Sequence, residues 1–441
     1  MTDGKGKIVL HVKREWDELK EDCLKIAMLS IHSDPIGELG SKDTGGMSVY
    51  IRELARELGG RGHCIDIYTR LQGDENQSVI NLYDNVRLIH LGIPNGGSLS
   101  KLALYPYLSK FFRALEDFRM AENLSYDIIH SHYWLSGRLG NWAQNSWNRP
   151  HFATFHTLGE VKNRTRTGAL EPGFRIAAEK EIVHTCHRIL APTERERDNL
   201  IRLYDAPAEK IGVVPCGVNL DLFYPQPKTA APKTAARKRL ALDPAYTILL
   251  YVVRYDPLKG LDTLLGAMTY FKIHPLIRLV IVGGDGDKSP EYRALAQKTK
   301  WLEIDEKVIF VGRIDQHNLP PYYGAADVLV MPSRYESFGM VGLEALACGR
   351  PVVSTPVGAA DRLIRKAQAG CIVSDPTPRS LANGIQSVIS NRAIPAAEVI
   401  RKSILEYSWS NVASAVIAEY ENAVNQQFFD NNQRMLAQAS S

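Results

Sequence analysis

The sequence predicts an α/β protein built of two doubly wound domains that face one another across a cleft. Three observations predict it. The chain has 441 residues, more than one hydrophobic core usually serves. Short apolar runs alternate with stretches of helical length in two successive series, the pattern of buried parallel strands joined by helices. A segment rich in Pro, Lys and Ala, Tyr224 to Lys233, separates the series, and such a composition buries little.

The first series opens with Leu24 to Ser30, a short apolar run that reads as a strand covered on both faces. A Gly- and Asp-rich loop follows, then Val49 to Leu58 with apolar residues at helical spacing and Gly59-Gly60 as the stop. Cys64 to Tyr68, Asp127 to His130 and Phe152 to His156 read as further strands. The second series runs through Thr247 to Val253, Leu279 to Val282, Val308 to Val311, Val328 to Met331 and Pro351 to Ser354. Both series are Rossmann-like, so ligands are expected beyond the carboxyl ends of the strands, in the cleft. The tail from Ser408 to Tyr420 is helical in pattern with Ser410 as the N-cap.

Composition excludes several classes. A formal charge of +4 without a dense Lys/Arg block argues against a nucleic-acid partner. The cysteines, at 23, 64, 186, 216, 348 and 371, form no Cys-x-x-Cys pair, so neither a zinc site nor a disulfide framework is expected. The start lacks the signature of an export signal, and no run of about 18 apolar residues occurs. A cytoplasmic protein without an integral membrane segment is the expectation. The aromatic stretch from Leu102 to Phe118 reads as a core-facing helix rather than a membrane-docking one.

The densest chemical signal is Glu336-Ser337-Phe338-Gly339-Met340-Val341-Gly342-Leu343-Glu344. Two carboxylates eight positions apart bracket a strand-to-helix turn; Gly339 precedes a helix N-terminus whose N–H groups suit an anion, and Glu344 suits ribose hydroxyls. Upstream, Val253-Arg254-Tyr255-Asp256-Pro257-Leu258-Lys259-Gly260 carries the cations Arg254 and Lys259. In the first series, Gly45-Gly46 ahead of a helix lets backbone approach a phosphate. His156 sits at the cleft edge, and His130-Ser131-His132 reads as structural.

These motifs resemble those of the family 4 retaining glycosyltransferases of GT-B architecture, with Val253 standing where the family has Gly. The resemblance implies a sugar-nucleotide donor and no metal. It assigns the donor diphosphate to Arg254 and Lys259, the ribose to Glu344, the donor sugar to Glu336 and His156, and further donor contacts to Gly45, Gly46, Arg313, Phe338, Gly339 and Met340. It implies a final helix, 415–441, crossing back onto the first domain, 1–218, with 219–414 as the donor domain, and a homodimer.

Within that family, His32 to Pro35, Asp43 to Tyr50, His130 to Gly137 and His156 to Asn163 are similar to the branch acting on inositol phosphate. That likeness assigns the acceptor's phosphate to Lys101, Tyr133, Thr157 and Arg175. Ser48, on the segment expected to face the acceptor, replaces the branch's Asn, and Gly358 to Arg362 departs from the family's loop. The implied activity is transfer of a hexosyl or N-acetylglucosaminyl group from a UDP-sugar to a phosphorylated polyol or sugar, inositol phosphate first. The alternatives are a transferase acting on a lipid-linked or cell-wall acceptor at the inner membrane face, and a non-catalytic sugar-nucleotide-binding regulatory protein.

Overall fold

The computed structural model describes residues 23–37, 44–71, 78–92, 99–225, 232–284, 286 and 289–439. Asp43 and most of the Pro-rich segment after Pro225 lie outside these. Eight strands build the first sheet: β1 Lys25–Leu29, β2 Cys64–Arg70, β3 Ser78–Tyr83, β4 Val86–Leu91, β5 Ile128–His132, β6 His151–Thr154, β7 Arg188–Ala191 and β8 Ile211–Val213. Their order is β3-β4-β2-β1-β5-β6-β7-β8, all parallel except the β3–β4 pair. Six parallel strands build the second: β9 Thr247–Val252, β10 Ile277–Val282, β11 Val308–Gly312, β12 Val328–Met331, β13 Val352–Ser354 and β14 Gly370–Ile372, in the order β11-β10-β9-β12-β13-β14.

Each sheet has one point where the chain, having extended the sheet to one side, returns to extend the other. In the first it lies between β1 and β5, in the second between β9 and β12. Crossovers leave these points in opposite directions, so a crevice opens at the strand carboxyl ends. The loops there carry His32 and Tyr133 in the first unit, and Arg254, Tyr335 and Glu336 in the second.

An apolar cluster runs from Ile26 and Ile128 through Trp409, Val412 and Val416 to Leu250 and Leu329, so the last helix cements the two sheets. That helix spans Trp409–Ala439 and starts before the expected 415. Its cap is Ser408, whose Oγ accepts from the Asn411 N–H at 3.2 Å; Ser410, the expected cap, lies inside the first turn, where its Oγ accepts from Arg61. The helix lies on the first unit: Tyr420 Oη meets His130 Nδ1 at 2.6 Å, and Arg188 Nε donates to Glu419 Oε2 at 2.7 Å. Its start runs beside the segment that leaves the first unit after β8, with Val218 bridged to Ser408 and Trp409 packed on Gly217.

Other boundaries differ from expectation for local reasons. The helix Gly46–Gly60 runs through both glycines and is capped at Arg61; Gly59 is set by packing, since a Cβ there would meet Asp84 O at 2.4 Å. Strand β6 stops at Thr154, and His156 lies beyond it with φ +58°. Strands β3, β4, β7, β8 and β14 were not anticipated. The β3 edge strand is partly solvated, with Val79 and Ile80 exposed, and β8 and β14 have 3 residues each, too few to show a period.

Residues Leu102–Tyr107 form a 3-10 turn and Leu108–Ala121 a helix. Phe111 is buried in the first unit's core, and Tyr105, Tyr107, Phe112 and Phe118 pack against it, so the stretch faces inward as expected. Among the described residues no helix is long and apolar enough to cross a membrane.

Candidate active site

A cavity of about 330 Å³ lies at the carboxyl ends of both sheets, walled by loops of both units. From the second unit it is lined by Val253, Arg254, Lys259, Glu336 and residues 337–341; from the first by Gly45, Gly46, Lys101, Tyr133, His156, Thr157 and Lys162.

On the second unit's wall, Lys259 Nζ donates to both oxygens of Glu336, each at 2.7 Å. Ser333 Oγ donates to Glu336 Oε1 at 2.7 Å, so the carboxylate is held from two sides and fixes the ammonium in turn. Gly339 caps the helix Met340–Ala347 with φ +93°, a conformation that side chains with a Cβ disfavour, and the first residues of that helix, Met340 and Val341, line the cavity. The loop from Gly358 departs from the family's. It braces the cavity wall: Ala359 N donates to Phe338 O at 2.8 Å, and a Cβ on Gly358 would meet that same oxygen at 2.3 Å.

The first unit's helix Gly46–Gly60 presents its N-terminus to this wall. A Cβ on Gly45 would stand 3.5 Å from Arg254 Nε, and one on Gly46 3.6 Å from Met340 Sδ. The two helix N-termini and the Arg254 guanidinium thus converge on one volume, where positive charge and backbone N–H donors suit an anion.

His156 Nε2 meets His132 Nδ1 at 3.0 Å, and Tyr50 packs edge-on against His156 with ring centroids 5.2 Å apart. Burial lowers the His156 pKa to about 3, so the imidazole is neutral at physiological pH. His156 and Tyr133 both have left-handed backbone, φ +58° and +75°; such strain persists only where surrounding packing over-determines it and clusters at functional sites. His132, read from the sequence as structural, thus orients a cavity residue, while His130 is anchored by Tyr420 and Thr154.

Of the residues assigned to the acceptor's phosphate, Lys101, Tyr133 and Thr157 line the cavity. His32 packs tilted against the Tyr133 ring with centroids 4.2 Å apart, and burial followed by the Lys101 charge holds its pKa well below the ordinary value. Arg175 is buried behind them: Nε donates to Glu179 Oε1 at 2.7 Å, Nη1 pairs with Glu171 at 2.8 Å, and Nη2 donates to Thr157 O and Oγ1 at 3.1 Å. Its guanidinium lies 4.9 Å from the Tyr133 ring centroid. Burial opposes its charge, but Tyr133, Glu179 and Glu171 hold its pKa above the ordinary value. Ser48 does not line the cavity; it is fully buried, its Oγ 2.6 Å from Ser33 Oγ.

Glu344 also stands behind the wall. Its oxygens accept from Gln316 Nε2 at 3.1 Å and Tyr323 Oη at 2.6 Å, and burial raises its pKa to about 7. Neither Glu344 nor Arg313 is among the lining residues. Among the described residues no group of three or more His, Cys, Asp or Glu could hold a metal ion.

Two family models cover both units: Glycosyltransferase Family 4 over residues 44–222 and Glycosyl transferases group 1 over residues 232–404. D-inositol 3-phosphate glycosyltransferase of Xylanimonas cellulosilytica is 33% identical over 90% of this chain and 97% of its own length. That of Kineococcus radiotolerans is 34% identical over 91% and 95%. The chain is a family 4 glycosyltransferase of GT-B architecture. Among solved structures, sucrose-phosphate synthase from Thermosynechococcus elongatus superposes with a TM-score of 0.81 at 32% identity, covering 90% of this chain and 98% of its own. Anabaena HepE in complex with UDP and glucose shares the fold, with a TM-score of 0.70 at 18% identity over 90% and 100%.

In this glycosyltransferase the cavity residues that escaped the sequence reading include Lys162, Tyr335 and Ser337. Lys162, in the helix Gly159–Arg164, lines the cavity and pairs with Glu171. Its signal was present, five positions after Thr157 in a motif already noted. Tyr335 and Ser337 flank Glu336, and both reach across to the first unit. That reach depends on how the units meet, which local sequence does not encode.

Proposed function

We propose that this glycosyltransferase is a retaining enzyme that moves a hexosyl or N-acetylglucosaminyl group from a UDP-sugar to a phosphorylated polyol or sugar, inositol phosphate first. The observation that carries this reading is the convergence of Lys101 and Lys162 from the first unit with Arg254 and Lys259 from the second on one cavity. One pair suits the acceptor's phosphate and the other the donor's diphosphate. The inositol 3-phosphate glycosyltransferases and sucrose-phosphate synthase, similar over most of the chain, each carry a phosphorylated small molecule in their names.

In this reading the UDP diphosphate lies between Arg254, Lys259 and the N-termini behind Gly45 and Gly339. As the glycosidic bond breaks, charge grows on the leaving oxygen, and fixed cations stabilise it more in the transition state than in the ground state. Glu336 positions Lys259 and meets the donor sugar. Neutral His156 orients that sugar by hydrogen bonding without adding a charge that would oppose cation-like character at the anomeric carbon. The acceptor hydroxyl attacks from the face the diphosphate leaves, and a diphosphate oxygen takes its proton, so the anomeric configuration is retained. The same cations make a metal unnecessary.

A sugar phosphate such as fructose 6-phosphate is the second acceptor, favoured by the likeness to sucrose-phosphate synthase. The inward packing of Tyr105, Tyr107, Phe111, Phe112 and Phe118 supports a soluble acceptor over a lipid-linked one. Proton NMR of the product made from an α-linked UDP-sugar tests the reading. An α-glycoside is expected; a β-glycoside would contradict retention.

A further inference from the structure

Two hydrogen bonds join the catalytic loop of the second unit to the first unit away from the reacting atoms. Tyr335 Oη accepts from Leu158 N at 3.1 Å, and Ser337 Oγ donates to Glu196 Oε2. Both donor-side residues flank Glu336, the partner of Lys259. One of the first-unit partners flanks acceptor-side groups: Leu158 lies between Thr157 and Gly159, and Gly159 N donates to Glu179, which also binds Arg175. The anchor is rigid, since Glu196 sits in the first turn of the helix Glu194–Tyr204, where its N–H is capped by Thr193 Oγ1 at 3.1 Å.

Glu196 is costly to place there. It is 4% exposed and its Oε1 is buried with no hydrogen-bond partner among the described residues. Among the described residues, the ionisable side chains that act on it or feel its charge are Glu179, Cys216 and Tyr335, none of them a cation. A buried carboxyl without a cation destabilises the fold. A helix surface could carry an apolar side chain at this position without that cost, and what the carboxyl adds is an acceptor for Ser337.

We propose that Glu196 and Leu158 N form a latch for Ser337 and Tyr335, so that Glu196 is a positioning residue that holds the two units closed and sets the 335–339 loop against the acceptor wall. The inference rests on the reading of the cavity as a UDP-sugar site. Because Leu158 neighbours Thr157 and Tyr335 neighbours Glu336, acceptor-side order and donor-side order depend on the same contacts. A latched cleft also keeps water from a donor awaiting its acceptor.

The test compares the full-length wild type with Ser337→Ala, Glu196→Ala, their double variant and Glu196→Gln, using UDP as the probe. Calorimetry reads affinity and small-angle X-ray scattering reads the radius of gyration at saturating UDP. Wild type and Glu196→Gln, which keeps an acceptor oxygen, are expected to compact on binding UDP. Ser337→Ala is expected to stay expanded and to bind UDP about 3- to 10-fold more weakly, and the double variant is expected to be no worse than the poorer single. Wild-type UDP binding with identical compaction in Ser337→Ala would overturn the latch and leave the site reading standing. A wild type that does not bind UDP would overturn the site reading, and the latch with it.

Discussion

Lys259 Nζ stands 2.7 Å from each oxygen of Glu336, so the cation assigned to the leaving group is held by the carboxylate assigned to the sugar. The two act as a unit. Lys259→Ala is expected to lower kcat/KM by about 2–4 kcal/mol, mostly in kcat, because it removes charge stabilisation that grows in the transition state. Glu336→Gln should lower kcat less, and the double variant should fall well short of the summed losses. Steady-state UDP release checks this; additive losses would separate the two roles.

The acceptor wall is expected to show its effect in KM. Lys101→Ala and Lys162→Ala each remove one cation from the cavity, and losing a charge-assisted hydrogen bond costs about 1.5–3 kcal/mol. The acceptor KM should rise by one to two orders of magnitude with the donor KM nearly unchanged. Arg175→Lys should instead reduce folding stability, because the guanidinium bonds Glu171, Glu179 and Thr157 at once, and thermal unfolding measures it.

Metal dependence separates this account from one using a divalent ion. With Arg254 and Lys259 supplying positive charge, dialysis against a chelator is expected to leave the transfer rate unchanged. A rate lost on chelation and restored by magnesium or manganese would contradict it.

The buried ionisable groups predict opposing pH effects. Burial lowers His130, His151 and His156 to about 3, so below the ordinary histidine value of 6.5 the unfolded chain takes up protons the folded one refuses. Stability from these groups is full above pH 6.5 and lost as pH falls toward 3. Burial raises Glu196 and Glu344 to about 7. Here the folded chain keeps protons the unfolded one releases above 4.5, so stability is full below 4.5 and lost as pH rises through 7. Glu196→Gln should therefore gain on wild type between pH 4.5 and 8, by about 2–3 kcal/mol. Chemical denaturation at several pH values reads the difference; a pH-independent offset would contradict it.

How much of this was legible in the sequence follows from how local each feature is. The central strands, such as Ile26 in β1 and Leu249 in β9, are buried on both faces and announce themselves as apolar runs. The Glu336 to Glu344 motif and Arg254 with Lys259 are short and occupy the loops at the switch points, as the topology requires. What was hidden depends on tertiary packing. Ser48 and Ser33 close on each other beneath the surface, Arg175 turns away into carboxylates 4 positions either side, and Glu344 is taken up by Tyr323. The left-handed backbone of Tyr133 and His156 is likewise imposed by the surroundings.

Acceptor choice is read from UDP release from UDP-N-acetylglucosamine and UDP-glucose, alone and with inositol 3-phosphate, fructose 6-phosphate, or their unphosphorylated counterparts. One of the phosphorylated acceptors is expected to stimulate release from one donor, and its unphosphorylated counterpart is not. Release that no phosphorylated acceptor stimulates, or that the unphosphorylated compound stimulates equally, would contradict the proposed function.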